Sequence, residues 1–151
     1  MTASPKHAVP VLSVPTGLGS LVFPNAMVCE VIAKTDIHPV PGTRVWVLGY
    51  CLWRGVPVSV VSIDMLLGIA STHDNVRKIV VMYPLPGRNS YDYYAIATHA
   101  DPRSLYIERA VETAAGSTGL RRHYVASLLA LPQGLGIVLD FEALKATFYS
   151  H

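Results

Sequence analysis

The sequence predicts an all-β fold, built as a small barrel or a pair of barrels and closed by one short helix. Three observations carry this. Short apolar runs recur along the chain, eleven prolines and eleven glycines punctuate them, and clear helical periodicity is confined to the last stretch. The 151 residues fit one compact domain, or two small lobes sharing a chain.

Residues 9–14 read as a strand, with Pro15 to Gly19 as the turn after it, and 20–23 as a second strand stopped at Pro24. Asn25 is an expected N-cap for a helical segment over 26–31, because its side-chain oxygen can accept from a free backbone N–H. Residues 37–42, with Pro39 and Pro41, read as an extended loop. Residues 49–53 and 56–61 flank Arg54-Gly55. Two β runs around a two-residue connection ending in Gly predict a tight hairpin. Pro57 has no N–H to donate, so its side of the strand is expected at an edge or bulge.

Residues 65–68 resemble a helical turn ended by Gly68, and 73–75 a polar connector between lobes. The second half has β runs at 78–83 and 91–98, joined by the turn-rich 84–89. A short β segment follows at 105–107, and 108–113 reads as either a helical turn or a further strand. Residues 116–119 form a loop by composition. Strands at 125–131 and 135–139 surround Pro132-Gln133-Gly134. Asp140 then caps a terminal helix whose Phe141, Leu144 and Phe148 make one apolar stripe.

Hydrophobic residues make up 51% of the chain and charged ones 15%, which leaves ample core material. So few charges suit either an apolar patch covered by a partner or a β-rich chain full of Val and Leu. The twelve basic residues are scattered, with Arg77-Lys78 and Arg121-Arg122 the adjacent pairs, so the dense cationic face of a nucleic-acid binder is missing. Cys29 and Cys51 match neither a metal knuckle nor a redox motif, and reduced thiols in apolar surroundings are expected. The first ten residues lack a signal-peptide apolar stretch. The longest apolar region, 45–63, is broken by Arg54-Gly55 and Pro57, so a cytoplasmic location is expected.

No residue set stands out as an active site. The six histidines form no ligand pair, and no cofactor or metal is expected. His99 and Asp101 could meet Ser104, but one short loop can hardly hold nucleophile, base and orienting group together. The glycine pairs Gly17-x-Gly19 and Gly134-x-Gly136 open no long helix and read as turns. Tyr91 and Tyr93 would share one strand face and Tyr94 the other.

At the hairpin, Gly49-x-x-x-Trp53-Arg54-Gly55-x-x-Val58-x-Val60-Val61-x-Ile63-x-x-x-Leu67-Gly68 resembles the signature of the CheW family of bacterial chemosensory adaptors. Upstream, Leu21-Val22-Phe23-Pro24 and Val28-Cys29-Glu30-Val31 are similar to that family's strand and Val-x-Glu-Val segment. Downstream, 79–82 and Gly136 to Asp140 followed by Leu144 resemble its later strands and closing helix. The family's hairpin proline is Ser59 here, with a proline displaced to Pro57, and its Asp before the Leu is Ser62. These departures suggest an auxiliary member, for example in a twitching or type IV pilus system.

The resemblance implies a single domain over 1–151, made of two SH3-like five-stranded barrels with a short C-terminal helix. One lobe is expected over 17–72, the other over 8–14 plus 76–140, with the helix over 141–150. It implies a non-enzymatic scaffold that couples a chemoreceptor's cytoplasmic tip to the regulatory domain of a sensor histidine kinase, without nucleic acid or membrane insertion. By position, Val28, Glu30 and Arg54 match receptor contacts, although Arg54 also suits a plain turn residue, Glu30 a surface charge and Val28 core. Trp46, beside the proline loop, is the expected interface anchor and Trp53 the expected core residue. The rival readings are a β-barrel enzyme using His99 and Asp101, and an OB-type nucleic-acid-binding module.

Overall fold

A computed structural model describes residues 8–70, 75–108, 111–113 and 120–149. In chain order its strands are β1 (Val9–Pro15), β2 (Ser20–Pro24), β3 (Val28–Ala33), β4 (Val47–Trp53), β5 (Val56–Val61), β6 (Lys78–Met82), β7 (Tyr94–Thr98), β8 (Arg103–Ile107), β9 (Val111–Glu112), β10 (Val125–Leu131) and β11 (Gly134–Leu139). Two short α-helices, α1 (Ile63–Leu67) and α2 (Phe141–Phe148), and two 3-10 turns, Asn25–Met27 and Arg122–Tyr124, complete the described elements.

The strands form two sheets. One runs β8-β1-β2-β11-β10-β9 and the other β3-β6-β7-β5-β4. Each is assembled the same way. Antiparallel pairs meet at one parallel seam, β11 against β2 in the first sheet and β5 against β7 in the second. This shared plan makes the two lobes structural counterparts, which no repeat in the sequence discloses.

The second sheet curls until its two end strands approach. After β3 the chain returns through the proline loop, and His38 exchanges backbone hydrogen bonds of 2.8 and 3.0 Å with Tyr50 of β4. Gly49 permits this closure. Its φ is +140°, and a Cβ there would overlap the His38 carbonyl.

One core of buried residues draws on both sheets. It includes Leu12, Leu21, Phe23, Ile137 and Leu139 from the first, and Val61, Val80, Met82, Tyr94 and Ile96 from the second. A smaller cluster, Leu48, Cys51, Val58, Val60, Val76, Ile79 and Ala95, fills the second lobe's own interior. Strands β5 to β7 therefore alternate between two buried faces. That accounts for the unbroken apolar run 79–82, since a strand covered on both sides has no solvent face to make polar.

The lobes divide differently from the expected boundaries. β2 lies with β1 in the first sheet, while β6 and β7 join β3 to β5 in the second, so the division falls near residues 25 and 100 rather than at 17 and 76. The strand pairings, which sequence order does not reveal, set that division. The helix expected over 26–31 is also corrected. Asn25–Met27 is a single 3-10 turn preceded by Pro24, without a side-chain cap, and Val28 onward pairs with β6. The β-branched Val28, Val31 and Ile32 suit a strand better than a helix.

The hairpin of β4 and β5 forms as expected, with Arg54 at φ 52° and Gly55 at φ 76°. Pro57 precedes the stretch of β5 that pairs with β7, so its missing N–H costs no ladder bond. Ser62 caps α1 by accepting from the Met65 N–H at 3.2 Å, and Gly68 ends it at φ 82°. Asp140 caps α2 by accepting from Ala143 N–H at 3.0 Å. Leu144 is buried, with Phe141 and Phe148 packed beside it. β7 begins at Tyr94, so Tyr91 lies outside any strand and is 89% exposed. Of 108–113, Val111–Glu112 form strand β9. The loop 116–119 and residues 73 and 74 of the connector lie outside the described residues.

Candidate functional site

The site is built where the β4–β5 turn meets β3. A register shift between Val28 and Glu30 marks a bulge at Cys29, which sets the facing of Glu30. The turn places Trp53 and Arg54 opposite. Trp53 Nε1 donates to Glu30 Oε1 at 2.9 Å, and Arg54 Nη2 donates to the same oxygen at 3.3 Å. The Arg54 guanidinium also lies 4.6 Å from the centre of the Trp53 ring. One carboxylate thus ties together an indole and a cation from the far end of the sheet.

Aromatic rings extend the cluster. Trp53 and Tyr93 have centroids 5.1 Å apart, and Tyr93 and Tyr83 5.9 Å. A hydrogen bond with Cys29, followed by that side chain's charge, pushes the Tyr83 phenol above its ordinary value, while Arg54 pulls it the other way. Leu52 and Val56 stand exposed on either side of the turn. The Arg54 and Glu30 side chains are 68% and 40% exposed, so their ion pair adds only about 0–1 kcal/mol to stability. The arrangement orients charge and aromatic surface toward solvent more than it holds the fold.

The structure brings Glu30 and Arg54 together and puts Val28 at the start of β3, half-buried against the shared core. It buries Trp46, expected at an interface, and leaves Trp53 partly buried against the second lobe's core. Trp46 is 7% exposed, with its ring 5.4 Å from that of Phe148, because it stands at the junction of β4 with α2. Trp53 is the half-exposed one. Its position directly before a positive-φ turn puts it at the end of the hairpin, where only part of the ring is covered. Tyr83 and Tyr93 were not legible as site residues, since they meet Trp53 only through the pairing of β6 with β7.

His99, Asp101 and Ser104 are all exposed. Asp101 is held by Arg77 Nε at 2.9 Å, and His99 Nδ1 lies 3.2 Å from the Asn75 carbonyl; both side chains face solvent. The Arg77 hydrogen bond holds the Asp101 carboxyl below its usual range. Cys51 is fully buried, which raises its thiol, whereas Cys29 is half-buried. Among the described residues, no group of His, Cys, Asp or Glu is placed to hold a metal ion. Among them too, no helix is long and apolar enough to cross a membrane.

Two linked small barrels, with an exposed polar and aromatic cluster at the rim of one, define a domain of the paired β-barrel class. The model of the CheW-like domain family matches residues 10–147, and the chain belongs to that family. Its fold is similar to the crystal structure of the scaffolding protein TtCheW from Thermoanaerobacter tengcongensis, with a TM-score of 0.70 at 14% identity, over 88% of this chain and 89% of that one. The expected all-β, two-barrel fold is thereby shown. A search of the curated proteins finds no match.

Proposed function

We propose that the chain is a cytoplasmic, non-catalytic chemotaxis adaptor that holds a sensor histidine kinase against a chemoreceptor. Membership of the CheW-like family supports the adaptor role. The observation that carries the site is the Glu30–Trp53–Arg54 cluster, an exposed ion pair whose small contribution to stability leaves recognition as its use. In this reading Glu30, Arg54 and half-buried Val28 receive the helical tip of the receptor. An amphipathic helix needs apolar anchors plus flanking charges that fix its register, and Trp53 with Leu52 and Val56 adds the apolar share. Trp46 is too deeply packed to anchor a partner there. The regulatory domain of the kinase is the second partner, the output is chemotaxis or pilus-based motility, and the Ser59 and Ser62 departures suit an auxiliary member.

The adaptor role is tested by immobilising a receptor's cytoplasmic tip and measuring kinase retention. Retention should rise on adding the chain and fall with Glu30→Gln. Kinase retention indifferent to the chain would remove the proposal. Against the enzyme reading stands the exposure of both His99 and Asp101, and against the nucleic-acid reading the scatter of the basic residues along the sequence.

A further inference from the structure

A cleft of about 300 Å³ opens between β5, the approach to β7 and the end of α2. Its aromatic lining is Trp46, Tyr91, Tyr93, Tyr94, Phe148 and Tyr149. Phe148 holds the inner wall together, 5.4 Å from both the Trp46 and Tyr94 ring centres. Tyr94 is only 3% exposed, yet its hydroxyl has no hydrogen-bond partner among the described residues. Buried phenols normally find a partner, and leaving one unmade is costly. The adjacent Tyr149 hydroxyl, which donates to the Asp92 carbonyl at 3.3 Å, makes no hydrogen bond with it.

We propose that this cleft is a binding site for a small neutral molecule with one planar ring and a hydrogen-bond acceptor, which Tyr94 Oη satisfies. The ring follows from the aromatic walls and the volume, which lies at the small end of ligand pockets. Neutrality follows from the rim. Asp92 is paired with Arg88 at 3.0 Å, and that guanidinium lies 3.7 Å from the centre of the Tyr149 ring, so the charges there are already matched. The acceptor follows from the protonated phenol. Burial, then the neighbouring Tyr149, raises Tyr94 above its ordinary value, so the group keeps its proton and donates at neutral pH. The site is independent of the adaptor reading, although Tyr93 borders both.

Trp46 lines the cleft and supplies the signal. In a Trp53→Phe background it is the single tryptophan, and its emission is followed while benzamide is added. The expected result is a saturable change. Tyr94→Phe, which keeps the ring, should weaken benzamide binding about three- to tenfold while leaving toluene, which has no acceptor, unaffected. No saturable response to benzamide would overturn the proposal. So would equal affinity in Tyr94→Phe, or an equal loss for toluene.

Discussion

Arg54 holds two roles that substitution can separate. As the first central residue of the hairpin turn it adopts φ 52°, and its guanidinium meets Glu30 and Trp53. Asn tolerates the left-handed region better than most residues, so Arg54→Asn should leave thermal stability within about 0.5 kcal/mol of the parent while removing the cation. A melting curve checks this; a large drop would mean that the cation holds the hairpin itself. Tyr94 offers a second test. Its raised pKa means that folding disfavours its deprotonation, so its contribution is constant below the unfolded value near 10 and is lost as pH rises beyond it. Tyr94→Phe should therefore shift alkaline unfolding to higher pH, as followed by circular dichroism. At this scale the sequence was partly legible. Glu30 and Arg54 were singled out by register with a family motif, but their contact, and the burial of Trp46, depend on strand pairings that span many residues.

Elements stand on a few local devices, and these were the most legible part. The hairpin was readable because Arg54-Gly55 is a local signal, as was the Asp140 cap of α2. Asp140→Ala should cost about 1 kcal/mol, read from chemical denaturation, because the Ala143 N–H loses its acceptor. The 26–31 segment was misread because an N-cap residue ahead of apolar ones also fits a single turn leading into a strand, and only the partner β6 decides between them. Gly49 gives the sharper element-scale prediction. Gly49→Ala combines a left-handed backbone with overlap on the His38 carbonyl, so it should cost more than about 2 kcal/mol. Parent-like stability in that variant would mean that β4 does not need the close approach of the proline loop.

At the scale of the molecule, the shared core couples the two lobes. Val80, Met82 and Ile96 of one sheet pack in the same cluster as Phe23 and Ile137 of the other, so neither lobe keeps its buried face without its neighbour. Equilibrium unfolding should be a single transition, with tryptophan emission and circular dichroism superimposing. The all-β class and the paired barrels were legible from short strands and from the family pattern. The division between lobes was not, because strands distant in sequence pair across two parallel seams. The central claim is that the exposed Glu30–Trp53–Arg54 rim is where the receptor docks. Calorimetric titration of a chemoreceptor's helical tip into the parent, Glu30→Gln and Arg54→Asn proteins tests it most directly. Each variant should bind about five- to thirtyfold more weakly with its melting temperature preserved. Parent-like affinity in both would contradict it.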